Sequence, residues 1–178
     1  MINVGFIGAG DISLLHYEAI QNCNDANLKG IWTRTKENNI SKSKLYNCLS
    51  YDSAEDLIND NSIDCIFILT NYETHHYYAK MALEKGKHVL IEKPTAKNVN
   101  EIEDILNIST KKKLQCMPVH NYIYEESMYR TKDLIDNGKL GDIVSFYMLY
   151  NIHHPEEVAK KYPGVIRQIL THHIYTAM

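Results

Sequence analysis

The run IDCIFIL, Ile63 to Leu69, carries one aspartate near its start and is otherwise apolar on both faces of any strand it forms. A strand without a polar face must be covered on both sides, and a parallel sheet between two layers of helices does this. The surrounding chain agrees. Short apolar runs at INVGFI (Ile2 to Ile7), LKGIWT (Leu28 to Thr33), KHVLIE (Lys87 to Glu92) and LQCMPV (Leu114 to Val119) alternate with helix-like stretches. A first helix is expected from Asp11 as cap, with Ile12, Leu15, Ala19 and Ile20 on its inner face. A polar helix over Lys42 to Asn47 and a short extended piece near Leu49 to Tyr51 follow. Ser53 and Asp56 then fit a capping box. Further helices are expected from Thr74 to Lys85, ended by Gly86, and from Asn98 to Thr110. The alternation predicts an α/β doubly wound parallel sheet with right-handed crossovers.

The first glycines follow directly on the first strand. In GFIGAGDIS, Gly8 and Gly10 have G-x-G spacing between strand and helix. A glycine at the first position permits a sharp turn, and one at the second lets a diphosphate approach the backbone. The helix start, Asp11 and Ile12, adds free N–H groups and the positive end of the helix dipole. Ser13 replaces the third glycine and is small enough for helix and sheet to pack. The predicted fold is therefore a Rossmann domain. At the end of its second strand, WTRTKEN offers Thr33, Arg34 and Thr35 with no carboxylate at the tip. That set suits a ribose 2′-phosphate better than a 2′-hydroxyl, so NADP is favoured over NAD.

The strand HVLIE ends at Glu92, Lys93 and Pro94. Ligands of such sheets bind at the carboxyl ends of the strands, so Lys93 is expected in the crevice as a proton donor or acceptor. Pro94 stops the strand and fixes the backbone beyond the lysine. Glu92 is expected to orient Lys93 or to contact the ribose.

Three segments, GFIGAGDIS…H, CIFILTNYETHHYYAKMALEKGKHVLIEKPTA and DLIDNGKLGDIVSF, together resemble the glucose–fructose oxidoreductase / inositol dehydrogenase (Gfo/Idh/MocA) family. The resemblance implies an N-terminal Rossmann domain, a C-terminal open-faced α+β sheet domain, and hydride transfer between NAD(P) and a sugar-like carbinol. It implies that Lys93 matches the lysine of the E-K-P motif, which binds the reacting hydroxyl. Thr70 and His75 match the T-P-N-x-x-H segment near the nicotinamide and ribose, with Asn71 and Tyr72 replacing its proline and asparagine. GVIRQILTHH resembles the segment carrying the family's acid/base histidine; Gly164 and the spacing place that role on His172, with His173 as the alternative. Gln168 and Leu170 replace an aspartate and a glycine there, and Ile123 replaces the arginine of N-Y-R-F, so the pocket is expected to differ from that of a typical sugar dehydrogenase. The family commonly associates through its C-terminal sheet, which makes a homo-oligomer an expectation.

Domain boundaries follow from the change of pattern after Val119. The NAD(P)-binding domain is expected over 1–120 and an incomplete start of a substrate domain over 121–178. The second segment offers a helix from Glu125 to Asn137, one long strand from Asp142 to Asn151, and a final helix-like stretch. A lone strand and a helix do not close a core, so the chain reads as the front half of a longer protein. A nucleotide-binding module without turnover is accordingly the second reading; a methyltransferase is a remote third, since it has no use for the E-K-P turn.

The totals exclude other classes. A net charge of -3 gives no basic footprint for nucleic acid. No window approaches the about 18 apolar residues of a membrane span, and the N-terminus lacks the basic start of a signal peptide. Cys23, Cys48, Cys65 and Cys116 form no C-x-x-C pair and read as thiols of a reducing cytoplasm. The pairs His75–His76, His153–His154 and His172–His173 are adjacent and so diverge, and no metal is expected. The expected partner is a small sugar- or polyol-like substrate.

Overall fold

The computed structural model describes residues 1–151, 153, 156, 160 and 169–178. They form two compact units, Met1–Val119 and His120–Met178.

The first unit is a six-stranded sheet of β1 (Ile2–Ile7), β2 (Ala26–Trp32), β3 (Leu49–Ser50), β4 (Cys65–Ile68), β5 (His88–Ile91) and β6 (Cys116–Pro118). The strand order is β3-β2-β1-β4-β5-β6, and every pairing is parallel. The order reverses at β1, so the crevice of this doubly wound sheet opens beyond the carboxyl ends of β1 and β4. Val4 and Phe6 of β1 face one core with Leu28, Ile31, Ile20 and Tyr46, beneath α1 (Ser13–Gln21) and the end of α2 (Lys36–Leu45). Ile7, Ile66, Ile68, Val89 and Ile91 face the other, covered by α3 (Ala54–Asn59), α4 (His75–Glu84) and α5 (Val99–Lys112). Burial on both faces is what the apolar run at 63–69 requires.

Ser53 caps α3, its hydroxyl accepting from the Asp56 N–H at 2.9 Å. Asn98 caps α5 in the same way, accepting from Glu101 N–H at 3.0 Å while Glu101 accepts from Lys97 N–H at 2.9 Å. Gly86 ends α4 at φ +80°, a left-handed conformation that glycine adopts without strain.

Three expectations are corrected. The N-cap of α1 is Ile12, not Asp11, and the inward face is Ser13, His16, Tyr17 and Ile20, leaving Leu15 61% exposed. The helix keeps its predicted period with a different phase. The second helix lies earlier than Lys42 to Asn47, and its buried residues are Asn39 and Ser43. A helix whose inner face is polar leaves no apolar periodicity to read. Residues 142–151 pair in no ladder among the described residues, and Val144 and Tyr147 are 94% and 88% exposed. An extended segment without a neighbour to share its hydrogen bonds is not a strand.

The second unit contains a 3-10 turn at Asn121–Tyr124, α6 (Glu126–Asp136) and α7 (Thr171–Ala177). No helix among the described residues is long and apolar enough to cross a membrane.

Candidate active site

Because all strands run the same way, the segments following β1, β2, β4 and β5 gather at one edge of the first unit. Gly8 follows β1 at φ +93°. A Cβ there would stand 2.9 Å from the carbonyl carbon and oxygen of Leu69, so both conformation and packing demand glycine. Gly10 differs: a Cβ would meet nothing within 4 Å, and the residue is exposed. Nothing among the described residues requires glycine at that point. A cradle that a Cβ would fill fits a group approaching the backbone from outside, and the exposed Asp11 and Ile12 lead from it into α1. Ser13, fully buried, donates to the Gly10 carbonyl at 2.6 Å and shares a 2.7 Å hydrogen bond with the Tyr46 hydroxyl. The residue in the third glycine's position thus ties the turn to the end of α2.

After β2, Thr33 is buried and donates from its hydroxyl to the Thr35 carbonyl at 3.0 Å. Its N–H is accepted by Asn39 at 3.1 Å, and Asn39 donates to Ser50 and to the Tyr51 carbonyl. Asn39 is therefore the buried staple between the tips of β2 and β3, a role no sequence pattern marks. Arg34 and Thr35 are exposed beside it.

After β4, Thr70 is half-buried and accepts from the Thr74 hydroxyl at 2.8 Å, while Asn71 is exposed. His75 is buried, with Nδ1 2.9 Å from the Pro94 carbonyl and Nε2 2.9 Å from the Thr70 carbonyl. Two carbonyls match the two N–H groups of an imidazolium, yet burial outweighs them and pushes the ring below the ordinary histidine range. The neutral ring donates to one carbonyl at a time. His75 ties the β4 tip to the β5 turn and spends both nitrogens inside the protein.

After β5, Glu92 is buried, Lys93 and Pro94 are half-buried, and the Lys93–Pro94 bond is cis. Glu92 accepts from Lys93's own N–H at 3.1 Å through Oε2, and its Oε1 lies 2.8 Å from His16 Nε2. In the sequence, His16 stands out only as the last letter of the motif GFIGAGDIS…H. The signal that finds it is its place three residues after Ser13, on the helix face turned to the sheet.

His172 belongs to the second unit. It is buried at the start of α7, stacked on Tyr122 at 4.6 Å, and hydrogen-bonded through Nδ1 to the Tyr175 hydroxyl. That hydroxyl donates to Asn121 Oδ1 at 3.3 Å in one of its two orientations, and the Tyr122 and Tyr150 hydroxyls are 3.1 Å apart. The bond with Tyr150, and then burial, push Tyr122 up to about 12. His173 stands edge-on to Tyr150 instead. Of the two histidines, His172 has the polar neighbours that set an imidazole's tautomer. Gly164, Gln168 and His154 lie outside the described residues. Among the described residues no group of three or more His, Cys, Asp or Glu is arranged to hold a metal ion.

A doubly wound parallel sheet with a glycine turn at the carboxyl edge of its strands is the class these features define. Residues 2–120 match the sequence model of the family described as "Oxidoreductase family, NAD-binding Rossmann fold" (Gfo/Idh/MocA). The chain belongs to this family. It is 28% identical over 168 residues to the uncharacterized oxidoreductase YhhX of Escherichia coli, covering 93% of this chain and 48% of that one. It is 32% identical over 145 residues to glucose-6-phosphate 3-dehydrogenase of Bacillus subtilis, covering 82% of this chain and 41% of that one. The chain thus spans about half, or less, of these relatives. Among solved structures, the putative oxidoreductase yvaA from Bacillus subtilis superposes with a TM-score of 0.86 at 24% identity, covering 99% of this chain and 51% of that one. A 3-ketoreductase from Actinomadura kijaniata, solved with NADP and TDP-benzene, gives 0.72 at 21% identity, covering 77% and 42%. Both likenesses bear on the fold.

Proposed function

We propose that this chain is the cofactor-binding part of an NAD(P)-dependent oxidoreductase acting on a CH–OH group of a sugar or polyol. The observation that carries the reading is Gly10, a glycine that neither its own backbone nor any neighbour among the described residues requires. Gly8, Gly10, Asp11 and Ile12 would cradle the diphosphate, and Thr70, Asn71, His75, Glu92 and Pro94 would shape the edge that receives the nicotinamide and ribose. Arg34 and Thr35, exposed at the tip of β2, favour NADP over NAD; the Thr33 hydroxyl is turned inward and positions them. A dinucleotide held there would supply hydride transfer to or from the carbinol carbon. Lys93 binds the hydroxyl oxygen and takes or returns its proton, and His172 assists as acid/base. The names of the Bacillus dehydrogenase and the Actinomadura ketoreductase support a sugar-like substrate. Four free thiols support a reducing cytoplasm as the location. A homo-oligomer remains part of the proposal by family likeness.

A binding module without turnover is the second reading, favoured by the unpaired, exposed segment at 142–151. Fluorescence titration with NADPH and NADH, followed by a panel of polyols and sugars, separates the readings. Binding that Gly10→Ala weakens about tenfold, the effect of about 1.4 kcal/mol, without a change in melting is the expected result. Steady NADP reduction abolished by Lys93→Ala supports the enzyme; tight binding with no turnover supports the module. No binding of either nucleotide at millimolar concentration, or equal binding by Gly10→Ala, rejects both.

A further inference from the structure

His16 is not needed by any step above, yet its ring has a defined place. It lies edge-on to Phe67 at 5.6 Å and to Phe6 at 6.4 Å, and those two rings stack on each other at 5.5 Å. The ring is thus braced by β1 and β4 while its Nε2 reaches Glu92. The two side chains are 14% and 10% exposed, so little water competes for the contact. An ionised carboxylate only accepts, so His16 Nε2 is the donor. Glu92 is then held at both oxygens, by α1 on one side and by the Lys93 N–H on the other. Without His16 a buried carboxylate would lose a hydrogen-bond partner, and the cost of that loss favours a rearranged turn.

We infer that His16 is a positioning residue for Lys93: it fixes the Glu92 carboxylate, which in turn fixes the backbone from which Lys93 projects. The contact joins the helix that follows the glycine turn to the turn that carries the lysine. It therefore sets the lysine's place relative to the cradle at Gly10. This rests on the reading of Lys93 as the group that handles the hydroxyl proton.

The test compares His16→Phe, which keeps an aromatic ring between Phe6 and Phe67 but no donor, with His16→Gln, which restores an N–H at similar reach. Amide hydrogen exchange at Lys93 is measured in the full chain, together with NADPH affinity. The Phe variant is expected to speed exchange at Lys93 about tenfold and to weaken NADPH binding, because Glu92 and Pro94 shape the edge that receives the nucleotide, and the Gln variant to restore both. Where turnover is present, kcat is expected to fall about tenfold in the Phe variant and to recover in the Gln variant. Unchanged exchange in the Phe variant, or equal loss in Phe and Gln, overturns the inference. Should the Phe variant not fold, His16→Asn, whose amide is one methylene too short, takes its place with the same outcomes. Turnover that survives Lys93→Ala would instead remove the reading of Lys93, while the exchange result would still judge the His16–Glu92 link.

Discussion

Lys87 opens the strand run KHVLIE, and although it carries a charge it is only 7% exposed. Its ammonium donates to the carbonyls of Asp60 at 2.8 Å and Ile63 at 2.7 Å, in the loop that leads from α3 into β4. The Asp60 carbonyl also accepts from the Ile63 N–H at 3.1 Å, and the buried ammonium adds the two hydrogen bonds that hold this turn against β5. Lys87→Met keeps the apolar stem and removes both hydrogen bonds, so it should cost about 2–3 kcal/mol in urea unfolding. Lys112 makes one such bond, to the Glu84 carbonyl, in an exposed position, and Lys112→Met should stay within about 0.5 kcal/mol. The same contrast explains which candidate residues stand out in the sequence. Gly8, Gly10 and Lys93 belong to short motifs whose spacing carries a mechanism. His16, Asn39 and Lys87 act through partners 76, 11 or 12, and 24 or 27 positions away, and no local pattern encodes such pairs.

At the scale of elements, legibility followed apolar contrast. The strands at β1, β4 and β5 were plain because both faces are apolar, and Gly86 and Asn98 marked helix ends through φ and capping. By contrast α1 turned its small and aromatic residues inward while leaving leucines exposed, and α2 buried an asparagine and a serine. Hydrophobic period misjudges a helix whose inner face is held by hydrogen bonds. The first residue of α4 has a further consequence. His75 joins the ends of β4 and β5, and burial holds its pKa below the 6.5 of an exposed imidazole. Its contribution to stability is complete above pH 6.5, because neither folded nor unfolded chains bind the proton there. As pH falls below 6.5 the unfolded chain takes up the proton first, and the contribution is lost through the folded pKa. The stability gap between the parent and His75→Gln should therefore be widest near pH 7.5 and shrink towards pH 5. Melting temperatures of the two proteins across that range check the sign; a gap that widens in acid would mean that the folded protein carries a charged His75.

For the molecule as a whole, the distribution of buried apolar side chains decides what can fold alone. Both hydrophobic clusters, from Val4 to Ile105, lie within Met1–Val119, together with every strand of the sheet. Among the described residues of His120–Met178, the buried residue is a histidine in a network of tyrosine hydroxyls. Alternating strands and helices made the first unit readable because each element could find its neighbour within the chain. The aromatic and β-branched residues of 142–151 predict a strand, but propensity describes fitness for a pleated surface and does not supply the neighbouring strand. A unit of about 120 residues with two covered sheet faces is of ordinary domain size and should fold without help. A chain ending at Val119 is therefore expected to unfold in one cooperative transition, within about 4 °C of the 178-residue chain, a shift no larger than about 1 kcal/mol. If the first unit alone forms the dinucleotide edge, that shorter chain should also bind NADPH within about threefold of the longer one. A non-cooperative melt would show that residues beyond Val119 complete the core. Cooperative folding with lost NADPH affinity would instead assign part of the nucleotide site to the second unit.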